Sequence, residues 1–427
     1  MPILAYFKNL NHNKFGYLSF YIGIFLLFSA PLIASFFLLI SLLLSIFLTK
    51  KSLLADKINL FLILISVLMI TSCIIYKLNY QGVIFDYSSK LNTQPFIALV
   101  NWIPLFFAYL GFQYYLRTKY NRLTCVFCLI FGSIPILISG FGQYLFNWYG
   151  PLEFFNGLII WYQRENTSGM TSFFNNPNYA ACALTTILPF YYATFYRNKN
   201  FDFRKVINLI LIFLIILGIF FTSSRNGLIG LLLGIFIFLI PLKSRLFSFS
   251  FLSFTSVLLL DFITKCFFES PLIPVNLLNK ISFQGLLTDP RLLIWKNSIQ
   301  YISKKPLLGW GGNSFSSLWN KDNASYFGHS HSIPLEISIQ YGLITSILLS
   351  SIVVFILIKS FRFIFLDSNL KLINFYKENF IDRAWYSACI VILFSNTIDI
   401  LYFDIRISVL AWVFLAGLRN IAYGYIE

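Results

Sequence analysis

Apolar runs of about twenty residues follow one another along almost the whole chain, and no polar stretch between them is long enough to be a separate soluble domain. A bilayer-spanning helix needs roughly 20 mostly apolar residues, so this recurrence dictates a membrane protein before any motif is read. Charged residues make up only 11% of the 427, less than half of the roughly 25% usual for soluble domains. Disorder is excluded too, because 50 Phe, 25 Tyr and 8 Trp cannot all stay solvated.

The run from Tyr17 to Leu48 is too long for one span, and Pro31 near its middle divides it into two tightly joined helices. Further spans are expected at 57–76, 95–116, 122–142, 173–196, 206–222, 226–241, 246–268, 333–358, 384–401 and 405–424. The expected fold class is therefore an all-α integral membrane protein with about twelve transmembrane helices. Helices one to nine occupy residues 1–268, a large and partly helical outside loop occupies 269–332, and helices ten to twelve occupy 333–427. A cytoplasmic N-terminus puts 20 of the 32 Lys and Arg on the inside, with every short inside turn basic, as the positive-inside rule requires. The same rule explains the net charge of +16 without nucleic acid. No short apolar core followed by a small-residue cleavage site marks a removable signal peptide.

The six cysteines (Cys73, Cys125, Cys128, Cys182, Cys266 and Cys389) fall in or beside apolar runs and lack metal-ligand spacing with a histidine, so they read as small packing residues. His329 and His331 stand in His-Ser-His-Ser just before span ten. An imidazole at the mouth of a membrane bundle can act as a general base, and the plainer alternative is a pair of surface-loop histidines. No third ligand accompanies them, so no metal site is expected. Arg225 lies in the very short turn Thr222-Ser223-Ser224-Arg225-Asn226-Gly227 between two apolar helices. A cation there faces a cavity, a partner or an anionic ligand, or else snorkels to water as an anchor. Arg291 begins an amphipathic helix in the large loop, where Asp289 is its simplest partner. Two outside arginines and a histidine suit a negatively charged, lipid-borne substrate, since a guanidinium forks onto phosphate oxygens. Arg164 opens a segment that turns sharply into span six at Asn176-Pro177-Asn178 and whose plainest role is architectural. Asp399, Asp404 and Arg406 flank the last outside turn as a local ion-pair set, although an acid there could also orient an acceptor.

Four segments together resemble the O-antigen ligase and O-antigen polymerase superfamily of bacterial membrane glycosyltransferases. Arg164 through Asn178 is similar to that family's loop ending in Gly-x-Phe-x-Asn-Pro-Asn, departing from it at Met170 and Ser172. Ser224-Arg225-Asn226-Gly227 resembles its Ser-Arg-Gly/Ala turn, and Pro306-Leu307-Leu308-Gly309-Trp310-Gly311 its Pro-x-x-Gly-x-Gly segment. His331-Ser332, nine residues and then Gly342 resembles the ligase signature. The first 90 residues match in hydropathy only.

The resemblance implies a transferase at the periplasmic face of the bacterial inner membrane. Its donor would be a glycan on undecaprenyl diphosphate, and its acceptor a sugar hydroxyl of lipid A–core or of another glycan. By carry-over His331 is the general base, Arg225 and Arg291 bind the diphosphate, and Arg164 and His329 contribute to substrate binding. No cofactor is implied. No Asp-x-Asp occurs, so a metal-independent displacement with inversion is expected. Two alternatives stay open: a polysaccharide polymerase or protein O-glycosyltransferase of the same superfamily, and a transporter or flippase for a lipid-linked sugar. Transporters place ionisable residues near the midplane, whereas here they gather at one face.

Overall fold

The structure is a computed structural model that describes residues 2–53, 56–79, 94–165, 167–198, 202–240, 274–323, 326–366 and 379–423. The expected ninth span, 246–268, lies outside these residues. What is described is almost entirely helical. Among the described residues six helices are long and apolar enough to cross a membrane: Lys57–Leu78, Pro95–Tyr115, Lys119–Phe146, Phe203–Phe221, Leu343–Leu366 and Ile405–Ala422. Shorter apolar helices run over Lys14–Leu26, Pro31–Ile46 and Arg225–Leu239. This is a multi-pass membrane protein.

In chain order, α1 (Pro2–Leu26) and α2 (Pro31–Leu53) are separate helices broken just before Pro31, as expected from the sequence. They are followed by α3 (Lys57–Asn79), α4 (Ile103–Tyr115) and α5 (Lys119–Phe146). The expected span 95–116 is not one regular helix, because a 3-10 turn at Ala98–Asn101 interrupts it. After α5 the structure adds a feature that an all-helical reading does not contain. Leu152–Phe154 (β1) and Ile159–Trp161 (β2) form a two-stranded antiparallel hairpin.

The next helices are α6 (Pro177–Arg197), α7 (Phe203–Phe221) and α8 (Arg225–Leu239). Residues 173–176, expected inside span six, are loop, because Asn176 caps α6 with its side chain and Pro177 supplies the first turn. The large loop is partly helical, with α9 (Val275–Ile281), α10 (Pro290–Lys304) and α11 (Ser314–Asp322). The expected span 333–358 is instead two helices, α12 (Ile333–Tyr341) and α13 (Leu343–Phe361), parted at Gly342. Gly342 sits at φ 89°, where a side chain is strained. The chain closes with α14 (Phe380–Ile398) and α15 (Ile405–Ala422).

Two helices form the centre. Residues Ala180 through Ala193 of α6 are all buried, and α14 packs on both α6 and α8. Neither α6 nor α14 is among the six apolar spans. Surrounded by protein instead of lipid, they can carry Thr185, Thr186, Asp382, Arg383 and Asn396, groups that cost several kcal/mol each against hydrocarbon. Peripheral helices do the reverse. Leu32, Phe36, Leu39 and Leu43 of α2 are exposed at helical spacing, as a lipid-facing stripe must be. A second, smaller core in the loop joins Ile294, Tyr301, Phe315 and Trp319 to Ile339 of α12, so the loop is a packed unit seated on the bundle.

Candidate active site

Three of the four sequence motifs meet at one end of the bundle, and the hydrogen bonds between them say why their residues are needed. Ser224 caps α8 by accepting the amide of Gly227 and donates its hydroxyl to Asn178 Oδ1 at 2.8 Å. Asn178 in turn donates to Asp399 Oδ2 at 2.7 Å. The loop carrying Arg164 is pinned to the same turn, where Met170 N donates to the Phe221 carbonyl at 2.8 Å. From α5, Gln143 accepts the amides of Thr171 and Ser172 and donates to the Arg164 carbonyl. The fourth motif works one step back. Leu343 N donates to the Pro306 carbonyl, while Trp310 N and Gly311 N donate to the carbonyls of Ile339 and Gln340. The Pro-x-x-Gly-x-Gly segment thus clamps the break at Gly342 and fixes where α12, and the histidines before it, begin.

Asp399 is the hub. Its buried carboxylate takes His331 Nδ1 at 2.9 Å and the Ile400 amide at 2.9 Å on one oxygen, and Asn178 and Arg291 Nη2 (3.3 Å) on the other. Burial alone would raise its pKa, but the bond from His331 and the Arg291 charge outweigh it and hold the group below the usual carboxylate value. A carboxylate at Nδ1 selects the tautomer whose proton lies on that nitrogen. Nε2 of His331 then keeps a free lone pair. His331 itself stands in the left-handed region at φ 53°, a conformation that costs a bulky residue of order 1–3 kcal/mol and survives only where the surroundings impose it.

The ion pairs differ from those expected. Asp289 is not the partner of the Arg291 side chain. It caps α10 through the Arg291 amide, and its other oxygen lies 2.7 Å from Arg225 Nη2. Arg291 reaches instead to Asp399. The supposed set Asp399, Asp404 and Arg406 is likewise divided. Arg406 pairs with Asp404, donates to the Phe173 carbonyl and lies over the Phe174 ring, a structural assembly, while Asp399 belongs to His331. Sequence spacing suggested neighbours in the chain, whereas the fold exchanged them across 108 residues.

His329 lies edge-on to His331 with ring centroids 4.3 Å apart. Burial first, and the neighbouring imidazole second, pull its pKa down to about 4, so it is neutral in the working range. Its Nδ1 is buried without a partner among the described residues. Arg164 is exposed and lines a polar cavity together with Lys280. Lys280 stands in none of the sequence motifs. Its ammonium donates to Ser168 Oγ at 3.0 Å and to the Ser223 carbonyl at 3.2 Å. Burial, with Arg225 and Arg291 nearby, lowers its pKa. Asn178 and Asp399 were also under-read, although a motif Asn and a lone acid ending an apolar run were signals available. Among the described residues no three His, Cys, Asp or Glu side chains converge as a metal site would need.

Two cations paired with acids, a third with none among the described residues and an oriented imidazole share one end of a membrane bundle, and Arg225 and His331 among them stand on segments where the sequence resembled a family. Residues 210–350 match the family model described as O-antigen ligase. That match supports the O-antigen ligase and polymerase superfamily for this stretch of the chain. The matched stretch runs from α7 through the Arg225 turn and the loop helices to the first half of α13, and it contains Arg225, Lys280, Arg291, His329 and His331. Arg164, Asn178 and Asp399 lie outside it and are tied to it by the hydrogen bonds above. The activity class that comes with this superfamily is glycosyl transfer of the O-antigen ligase or polymerase type, on lipid-linked glycans in a membrane. No curated protein matches the chain.

Proposed function

We propose that this protein transfers a glycan from an undecaprenyl diphosphate carrier to a sugar hydroxyl of lipid A–core, at the periplasmic face of the inner membrane. The observation that carries the reading is the His331–Asp399 pair standing beside Arg225 and Arg291. In the reaction, His331 Nε2 takes the proton of the acceptor hydroxyl while Asp399 stabilises the imidazolium that forms. The acceptor oxygen bonds to the anomeric carbon from the face opposite the diphosphate, with inversion. The carbon–oxygen bond to phosphate breaks, and its electron pair stays on the leaving undecaprenyl diphosphate. Charge grows on that leaving group, so cations already in place beside it lower the barrier most. A guanidinium has five N–H donors, enough for Arg225 and Arg291 to keep Asp289 and Asp399 while also donating to phosphate oxygens.

The twelve-span arrangement, with residues 1–268, 269–332 and 333–427 as its three parts, belongs to the same proposal. The ends of the described segments support it. Arg383, at the start of α14, donates to the Ile240 carbonyl, whereas Asp399, just past the end of α14, meets Arg291 and His331. Ile240 therefore lies at the far end of the bundle, and Lys280, bonded to Ser223, at the near end.

Purified protein in liposomes, given a lipid-diphosphate oligosaccharide and lipid A–core, tests the reading, with His331→Ala alongside. Transfer by the wild type, unaffected by EDTA and reduced at least about a hundredfold in the variant, is expected. Elongation of the lipid-linked glycan instead of transfer to core would make it a polymerase. Unconsumed donor would refute the transferase, and loss of activity with EDTA would refute the metal-independent step.

A further inference from the structure

Behind the Arg225 turn lies a cavity of about 340 Å³ walled by the Arg164 loop, the start of α6, the Thr222-Ser223 turn and Lys280 of α9. Among the described residues its lining is polar and carries Arg164 and Lys280 but no acid. That sets it apart from its surroundings, because the adjacent arginines each have a carboxylate, Arg225 with Asp289 and Arg291 with Asp399. The partners of Lys280 are a hydroxyl and a carbonyl, both neutral. Ser223 lines the same cavity. It is fully buried, and its hydroxyl has no hydrogen-bond partner among the described residues. Its backbone is held at φ 51°, in the left-handed region that a serine seldom takes, and it is this conformation that presents its carbonyl to Lys280. Asn178, the bridge from Ser224 to Asp399, is also in the wall, which makes the cavity continuous with the site of the proposed reaction.

We propose that this cavity is the berth of the donor's diphosphate and that Lys280 is a substrate-binding residue of the enzyme. The inference rests on the transferase reading above and deepens it. An ammonium without a counter-carboxylate beside two arginines is electrostatically incomplete, and a dianionic group completes it. Arg164 lines the same cavity, and Ser223 Oγ and Asn178 supply neutral donors. In this arrangement Arg225 and Arg291, outside the cavity's lining, hold the loop to the bundle through Asp289 and Asp399, while Lys280 and Arg164 give the diphosphate its unshared charge.

The test uses the full-length protein in nanodiscs with farnesyl diphosphate, a short soluble polyprenyl diphosphate, as the binding probe, and the transfer assay in parallel. Lys280→Gln is expected to weaken probe binding by about tenfold or more, the loss of one charged hydrogen-bonding partner, and to raise KM for the donor more than it lowers kcat. Lys280→Arg is expected to restore most of the binding. Ser223→Ala, which leaves every charge in place, is expected to weaken it by a few-fold and guards against a Lys280→Gln protein that simply folds badly. Equal probe binding by wild type, Lys280→Gln and Ser223→Ala overturns the proposal, even if transfer by the wild type upholds the enzyme. Probe binding that depends on Lys280 in a protein that transfers nothing leaves the berth standing and removes the transferase. Inorganic pyrophosphate competing as well as the farnesyl compound would mean that the berth reads the phosphates alone.

Discussion

At the residue scale, the behaviour of His331 depends on a carboxylate 68 positions away in the chain. Asp399→Asn keeps the shape but offers Nδ1 the wrong partner chemistry, so transfer should fall by about a hundredfold or more. Because the two residues act as one unit, the Asp399→Asn/His331→Ala double variant should be scarcely slower than His331→Ala alone. Rates that multiply in a kinetic double-mutant cycle would show them acting separately.

His329 gives a second expectation at this scale. Its pKa is lowered from 6.5 to about 4, so an opened or unfolded loop takes up a proton near pH 6.5 that the folded loop refuses until about pH 4. Stability of the loop is full above the higher value and declines as pH falls through that window. Hydrogen exchange across residues 326–332, corrected for intrinsic rates, should show more frequent opening at pH 5 than at pH 7. His329→Gln should abolish the difference, and an unchanged pH dependence in that variant would place its origin elsewhere.

At the element scale, the loop motifs act as clamps. The break between α12 and α13 is held by bonds from the Pro306–Gly311 segment, and Gly342 has no room for a side chain because a Cβ would run into the Leu307 carbonyl. Gly342→Ala should cost about 1–3 kcal/mol, read as a lower melting temperature in detergent. It should lower activity too, since the start of α12 sets the position of His331. A melting temperature equal to wild type would mean that the clamp gives way without cost.

The breaks themselves were partly legible. Pro31 and Asn176-Pro177 announced helix ends because proline and an Asx cap have local chemistry. Gly342 was hidden inside an unbroken apolar run. What ends the helix there is a carbonyl from residue 306, which leaves no mark on the hydropathy of 333–358. The hairpin at 152–161 was missed for a related reason: strands of three residues are too short for an alternation to be read.

At the scale of the whole molecule, charge is segregated. The site gathers its ionisable groups at one end. The buried pairs Arg122–Asp382 and Arg419–Asp56 involve residues that begin or end helices elsewhere, with Arg122 near the start of α5 and Arg419 near the end of α15. If the site faces the periplasm, Ser168→Cys should react with an impermeant thiol reagent in intact cells and Arg204→Cys only after lysis. Both positions are exposed, and the five native cysteines among the described residues are buried or half-buried. The opposite labelling pattern would invert the topology.

From the sequence alone came the membrane class, the helical breaks at proline and Asx caps, the gathering of cations toward one face and the four motifs. Each of these depends on composition or on neighbours a few residues apart, where periodicity, capping chemistry and desolvation cost operate. Only the tertiary structure decided the pairing of those charges. Arg291 with Asp399, Arg225 with Asp289, and Lys280 left to neutral oxygens beside a cavity that has no acid among the described residues are contacts between distant segments. Coulomb attraction acts through the few ångströms that packing sets and takes no account of separation along the chain, so the residues that share a site became known only once the helices had been brought together.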